Sequence, residues 1–232
     1  MSGIQASDRL PVALVTGATR GIGRAIALEL GHTHHVLIGG RNADATAEVA
    51  AQLPSAEPYV ADLAAGGLPP LPQRLDVLVH SAGVEEGGRI GDTDRATWER
   101  VFATNVFAVA ELTRLALPAL RAAHGIVVTI NSGSGFNSGP GGGVYAASKF
   151  ALRAFADALR EEERAGGVRV SSVHPGRTDS DMQRALTAKL GEDYDTEFFL
   201  APEDVAAAVR LVVDLPPRGT VETLSVRPTR RR

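Results

Sequence analysis

Apolar positions along the chain fall into two recurring patterns. Short continuous runs, many of them rich in β-branched residues, are bounded by glycine or polar clusters: Val12-Ala13-Leu14-Val15, His35-Val36-Leu37-Ile38-Gly39, Pro58-Tyr59-Val60-Ala61, Leu75-Asp76-Val77-Leu78-Val79, Gly125–Ile130, Val168–His174 and Val221–Val226. They predict strands buried on both faces. Between most of them apolar residues recur at helical spacing, over 24–30, Ala43–Leu53, Tyr145–Arg164 and Pro202–Val213. A long helix should follow the N-caps Asp92-Thr93-Asp94 and bury a stripe made of Trp98, Val101, Phe102, Val106, Ala110, Leu117 and Leu120. Segment 64–74 breaks the alternation, because Gly66, Gly67, Pro69, Pro70 and Pro72 predict a loop-like crossover. Seven strands alternating with helices predict an α/β protein of one domain over residues 1–232. Its architecture should be a doubly wound parallel sheet with right-handed crossovers and helices on both faces. The ends, 1–9 and 227–232, are expected to be flexible, and the amphipathic stretch 183–200, with Tyr194, Phe198 and Phe199, to form a substrate flap.

Composition narrows the function classes. Apolar residues make up 44% of the 232, charged residues 22%, and the net charge is −3, so neither disorder nor a polyanion-binding surface is indicated, and no nucleic-acid partner is expected. The chain has no Cys, which removes disulfides, thiolate metal sites and thiol catalysis together. No apolar run approaches the roughly 18 residues of a membrane helix, and residues 1–9 carry no signal-like apolar core, so a cytoplasmic protein without a membrane partner is expected. His32-Thr33-His34-His35 falls where a helix-to-strand loop is predicted and lacks a carboxylate partner, so no metal site is assigned there.

The chemistry gathers at predicted strand ends. The first strand runs into Thr16-Gly17-Ala18-Thr19-Arg20-Gly21-Ile22-Gly23, and a helix follows. In that setting Gly17, Gly21 and Gly23, with Thr19 and Ile22, let the backbone turn sharply against a pyrophosphate, whose charge meets free N–H groups at the helix start. The second strand ends at Gly40, where a fold that prefers NAD usually places a carboxylate for the ribose hydroxyl. Arg41 follows it, and Arg20 is a second guanidinium nearby, so NADP(H) is favoured and NAD(H) remains possible. Asp62, followed by Leu63, either accepts from an adenine amino group or caps the next turn. Ser81, Ala82 and Gly83 are small residues at the fourth strand's end, where a nucleotide can pass close to the backbone.

Ser132 closes the fifth strand, and Tyr145 and Lys149 are spaced so that phenol and ammonium share one helix face. A serine hydroxyl, a phenol and a cation suit carbonyl–alcohol chemistry, since a positive neighbour favours phenolate. Asn105 lies inside an apolar stripe, where a buried amide either bridges backbone groups or holds a water near the site.

Taken in order, these motifs resemble those of the short-chain dehydrogenase/reductase family: Thr16-Gly17-x-x-x-Gly21-x-Gly23, Asp62, Ala82-Gly83, Asn105, Ser132, Tyr145-x-x-x-Lys149 and Pro175-Gly176. The resemblance covers the chain from Thr16 to about Val226. It implies a Rossmann-like fold and hydride transfer between a nicotinamide and a small-molecule carbonyl or alcohol substrate. Tyr145 would be the proton donor or acceptor, Lys149 would hold the nicotinamide ribose, Ser132 the substrate oxygen, and Asn105 a water leading from Lys149. Pro175, Gly176, Thr178 and Ser180 would hold the carboxamide. It also implies a homodimer through the Asn105 and Tyr145 helices, with tetramer contacts less expected. Three departures stand out: His80-Ser81 in place of the usual asparagine pair, the short third crossover, and few residues after Val226. The alternative from another class is a nucleotide-sensing or scaffold protein that performs no turnover.

Overall fold

The structure, a computed structural model, describes residues 10–230; the expected flexible segment 1–9 and the last two residues lie outside them. Seven strands form one parallel sheet: β1 (Val12–Val15), β2 (His35–Gly40), β3 (Ala56–Val60), β4 (Val77–His80), β5 (Ile126–Ile130), β6 (Arg169–Pro175) and β7 (Thr223–Val226). Their order is β3-β2-β1-β4-β5-β6-β7, so the winding reverses between β1 and β4. Neighbouring parallel strands bring their carboxyl ends to one rim, and the reversal opens a crevice there.

Alternation along each strand divides the core. Ala13, Val15, Ile38, Val79 and Val128 face α1 (Gly21–Leu30) and α7 (Pro202–Val213), whereas Leu14, Leu37, Leu78 and Val127 face α4 (Ala108–Ala123) and α5 (Gly143–Glu163). Fully burying one such side chain is worth roughly 1.5–3 kcal/mol. The remaining helices are α2 (Ala43–Ala50), α3 (Arg95–Phe102) and α6 (Asp181–Leu190). The crossover from β3 to β4 contains no helix, as the prolines required; Tyr59 donates to the Pro69 carbonyl at 3.0 Å and packs the loop onto the sheet.

The expected long helix is instead two helices joined by a π-helical turn, Ala103–Phe107. A π turn holds one extra residue, which rotates everything after it about the helix axis. The buried stripe of α4 is therefore Val109, Leu112, Ala116 and Leu120, while Val106, Ala110 and Leu117 are only partly buried. The turn points the Asn105 side chain at the segment after β4.

Candidate active site

The glycine loop leaves β1 and enters α1 under tight steric control. Gly17 has φ +64°, and a Cβ on Gly23 would lie 2.2 Å from the Gly17 carbonyl oxygen, so only glycine allows this approach. Arg20, at the N-cap of α1, makes no side-chain capping bond, and the first turn holds no acid. The open N–H donors and the positive end of the helix thus face the rim, as a pyrophosphate requires. Thr16 ties β1 to β4: its hydroxyl donates to the Val79 carbonyl and accepts from Ser81 N–H at 3.0 Å and Ala82 N–H at 3.1 Å. Ile22 and Thr19 are partly buried beside the loop.

Gly40 has a physical reason to lack a side chain. A Cβ there would meet the Thr46 and Thr19 methyls at 2.7 and 2.8 Å, so an acid that would hold a free ribose hydroxyl could enter this position only by displacing them. Arg41 beside it is exposed and makes no ion pair among the described residues. Arg20 is exposed too, but pairs with Asp181 at the start of α6, at 3.2 Å. Asp62 takes the capping role, accepting from Ala64 N–H at 3.1 Å, and Leu63 packs against the sheet's α4 and α5 side. At the reversal Ser81, Ala82 and Gly83 follow β4, and a Cβ on Gly83 would be 3.9 Å from Lys149 Nζ.

Asn131 and Ser132 end β5 opposite the first turns of α5. Asn131 fixes the corner, accepting from Ser132 N–H at 2.9 Å and donating to the Lys149 carbonyl at 3.1 Å. The Ser132 hydroxyl accepts from Ser134 N–H at 3.1 Å and lies close enough to the Tyr145 phenol to oppose the rise in its pKa. Lys149 Nζ donates to the Ile130 carbonyl at 3.0 Å and lies 5.6 Å from the Tyr145 ring centre. Burial pushes the phenol up to about 12, against the hydrogen bond from Ser132, and lowers the ammonium to about 8. The expectation that the cation would favour phenolate is thus outweighed here by desolvation.

Asn105 is held on every side by protein. Its amide oxygen accepts from Val84 N–H at 2.9 Å, and its amide nitrogen donates to the Val84 carbonyl at 2.9 Å and to Ser148 Oγ at 3.0 Å. Its side chain thus bridges backbone groups, one of the two roles open from the sequence. His80 replaces one missing asparagine brace with another link: its Nε2 and the Thr113 hydroxyl are 2.8 Å apart, tying β4 to α4, and burial lowers the imidazole to about 3, so it is neutral.

Pro175 ends β6, Gly176 N–H donates to the Val226 carbonyl at 2.7 Å, and Thr178 bridges Leu200 as an isolated parallel pair. Ser180 caps α6 through Gln183 N–H at 3.2 Å and donates to the Thr178 carbonyl. Segment 183–200 is anchored at both ends by these contacts, and Lys189 reaches across to the Gly87 carbonyl after β4. Three residues not assigned from the sequence complete the site. Asn131 has a readable signal, a polar residue at a strand's exit. His174 bonds the Ser132 carbonyl through Nδ1 at 2.9 Å, and Glu85 lies near Tyr145, but neither has a local signal.

The described residues thus bring the glycine loop, the small residues after β4, and the Ser132, Tyr145 and Lys149 groups to one crevice. A family model described as short chain dehydrogenase matches residues 11–191. The chain belongs to the short-chain dehydrogenase family. As a member it is an NAD(P)-dependent oxidoreductase. It is 32% identical to the glycine betaine reductase of Emericella nidulans over 94% of its own length, but spans only 18% of that protein. It is 30% identical to the serine 3-dehydrogenase of Rhizobium radiobacter, covering 93% of this chain and 92% of that one. Among solved structures, a putative NAD(P) dependent gluconate 5-dehydrogenase from Beutenbergia cavernae with bound NADP matches with a TM-score of 0.83 and 32% identity, covering 96% and 97% of the two chains.

Proposed function

We propose that this short-chain dehydrogenase is an NADP(H)-dependent carbonyl reductase or alcohol dehydrogenase in which Tyr145 moves the proton. What carries the reading is the Tyr145 phenol beside the Ser132 hydroxyl, with the Lys149 ammonium 5.6 Å from the phenol ring centre. The nicotinamide, when bound, supplies or accepts the hydride. Tyr145 keeps its proton throughout the neutral range and can therefore give it to a carbonyl oxygen that Ser132 holds. In the oxidative direction the same phenol must first lose its proton, which burial opposes, so oxidation gains from rising pH. Lys149, with one N–H directed to Ile130, has donors left for the nicotinamide ribose hydroxyls. Asn105 acts as a positioning residue, fixing Val84 against Ser148 and hence the crevice wall against the Tyr145 helix.

Preference for NADP(H) follows from the crowding at Gly40 and from Arg41, whose guanidinium is free to meet a 2′-phosphate. Several solved relatives carry NADP or, in one, 5-hydroxy-NADP, the gluconate 5-dehydrogenase relative among them. Asp62 and Leu63 border the adenine side, and Pro175, Gly176, Thr178 and Ser180 the carboxamide side. Segment 183–200 serves as the substrate flap, and a homodimer forms through the faces of α4 and α5, where Phe107, Leu115 and Phe150 are exposed.

The test is a two-part assay on the full chain. NADPH and NADH are titrated by fluorescence, and NADPH oxidation is followed over ketones, aldehydes and quinones with native protein and Tyr145→Phe. The reading requires tighter NADPH binding and a loss of roughly 10²–10⁴-fold in kcat for Tyr145→Phe with cofactor affinity kept. Full activity in Tyr145→Phe removes the assigned proton donor.

A further inference from the structure

The segment 83–87 follows β4 beside the Tyr145 helix, and its path is held at both ends. Asn105 holds the Val84 N–H and carbonyl, and a Cβ on Gly87, where φ is +122°, would lie 3.4 Å from the Val144 side chain, next to Tyr145. Glu85, between these anchors, is half-buried. Its neighbour Glu86 points away and pairs with Arg100 at 2.9 Å. Glu85 has no hydrogen bond and no ion pair among the described residues, yet its charge reaches the Tyr145 phenol. The nearest cation acting on it is Lys189 of the flap, and that ammonium donates to the Gly87 carbonyl instead.

A carboxylate half-withdrawn from water without a donor is costly, and a cation brought by a ligand removes the cost. Burial raises the Glu85 pKa, against the pull of Lys189. We infer that Glu85 is a specificity-determining residue that selects alcohols and ketones bearing an ammonium group close to the reacting carbon. The inference rests on the site proposed above and adds the substrate class. Lys189 gives way to the ligand's ammonium at Glu85, and its bond to Gly87 keeps the flap over it.

The test compares two probes of nearly equal shape, 1-amino-2-propanol, which is cationic at neutral pH, and 2-butanol, which is not, with 3-hydroxybutanoate as the anionic control. Each is oxidised with NADP⁺ by the native full chain, Glu85→Gln and Glu85→Lys, with NADPH binding as the check on folding. The native protein should favour the amino alcohol in kcat/KM. In Glu85→Gln the ratio of amino alcohol to butanol should fall about tenfold or more, mainly through KM, and Glu85→Lys should shift preference toward 3-hydroxybutanoate. A ratio equal in native and Glu85→Gln protein overturns the inference. Calorimetric binding of the two alcohols to the Tyr145→Phe protein with NADP⁺ separates the two proposals. A preference for the amine there, lost on adding Glu85→Gln, upholds Glu85 even if Tyr145 proves not to be the proton donor. No preference there rejects Glu85 while leaving the Tyr145 assignment to its own assay.

Discussion

Lys149 sits nearly inaccessible behind the crevice, and burial lowers its ammonium from 10.5 to about 8. Between those values the unfolded chain holds a proton that the folded protein has released, so this residue makes stability rise with pH across the window. Below about pH 8 the folded protein carries the full cost of a desolvated charge. Lys149→Met abolishes that cost, so its stability relative to the native protein should be highest near pH 7 and should decline as pH goes from 8 to 10. Urea unfolding at three pH values checks this, and a difference independent of pH would place the ammonium in water. Tyr145 acts in the opposite sense only above pH 10, since its phenol is raised from 10 to about 12. At the other end of the crevice, Arg41→Ser should weaken NADPH about tenfold and leave NADH unchanged. Fluorescence titration of both cofactors reads the difference.

The π turn between α3 and α4 shows how one element serves the site at the expense of its own regularity. Without the extra residue, Asn105 would lie in the stripe that packs on the sheet; with it, the amide meets three protein partners. Asn105→Leu should leave the Val84 N–H and carbonyl without partners and destabilise the protein by about 2–4 kcal/mol, measured by thermal or urea unfolding. Loss of only a few tenths would mean that water substitutes freely. The strands and most helices were legible in the sequence because apolar runs and 3.6-residue spacing are local patterns. The π turn was not: Val106 and Ala110 fit an unbroken helix as well as Val109 and Leu112 do, and only the tertiary need of Val84 decides between them. For the site, Tyr145, Lys149 and Ser132 announced themselves by spacing. Glu85 and His174 acquire meaning only once residues far apart in the chain are brought together, as when His174 meets the Ser132 carbonyl across 42 positions.

Across the whole molecule, Phe107 at the end of the π turn, Leu115 on α4 and Phe150 on α5 are among the exposed large apolar side chains. If a second copy covers them, Phe107→Asp combined with Leu115→Asp should convert the protein to a monomer in light scattering after gel filtration; an unaltered mass would assign the patch elsewhere. Among the described residues no helix is long and apolar enough to cross a membrane. The position of β1 carries a different consequence. It is flanked by β2 on one side and by β4 on the other, and the Val12 N–H is met by the Asp76 carboxylate, 64 residues downstream. On the ribosome, a nascent chain that has released β1 to β3 but not β4 presents that flank as a raw hydrogen-bonding edge. Translational stalling in this window leaves a sticky fragment in need of a chaperone, and once β4 has been added the open edge passes to its β5 flank.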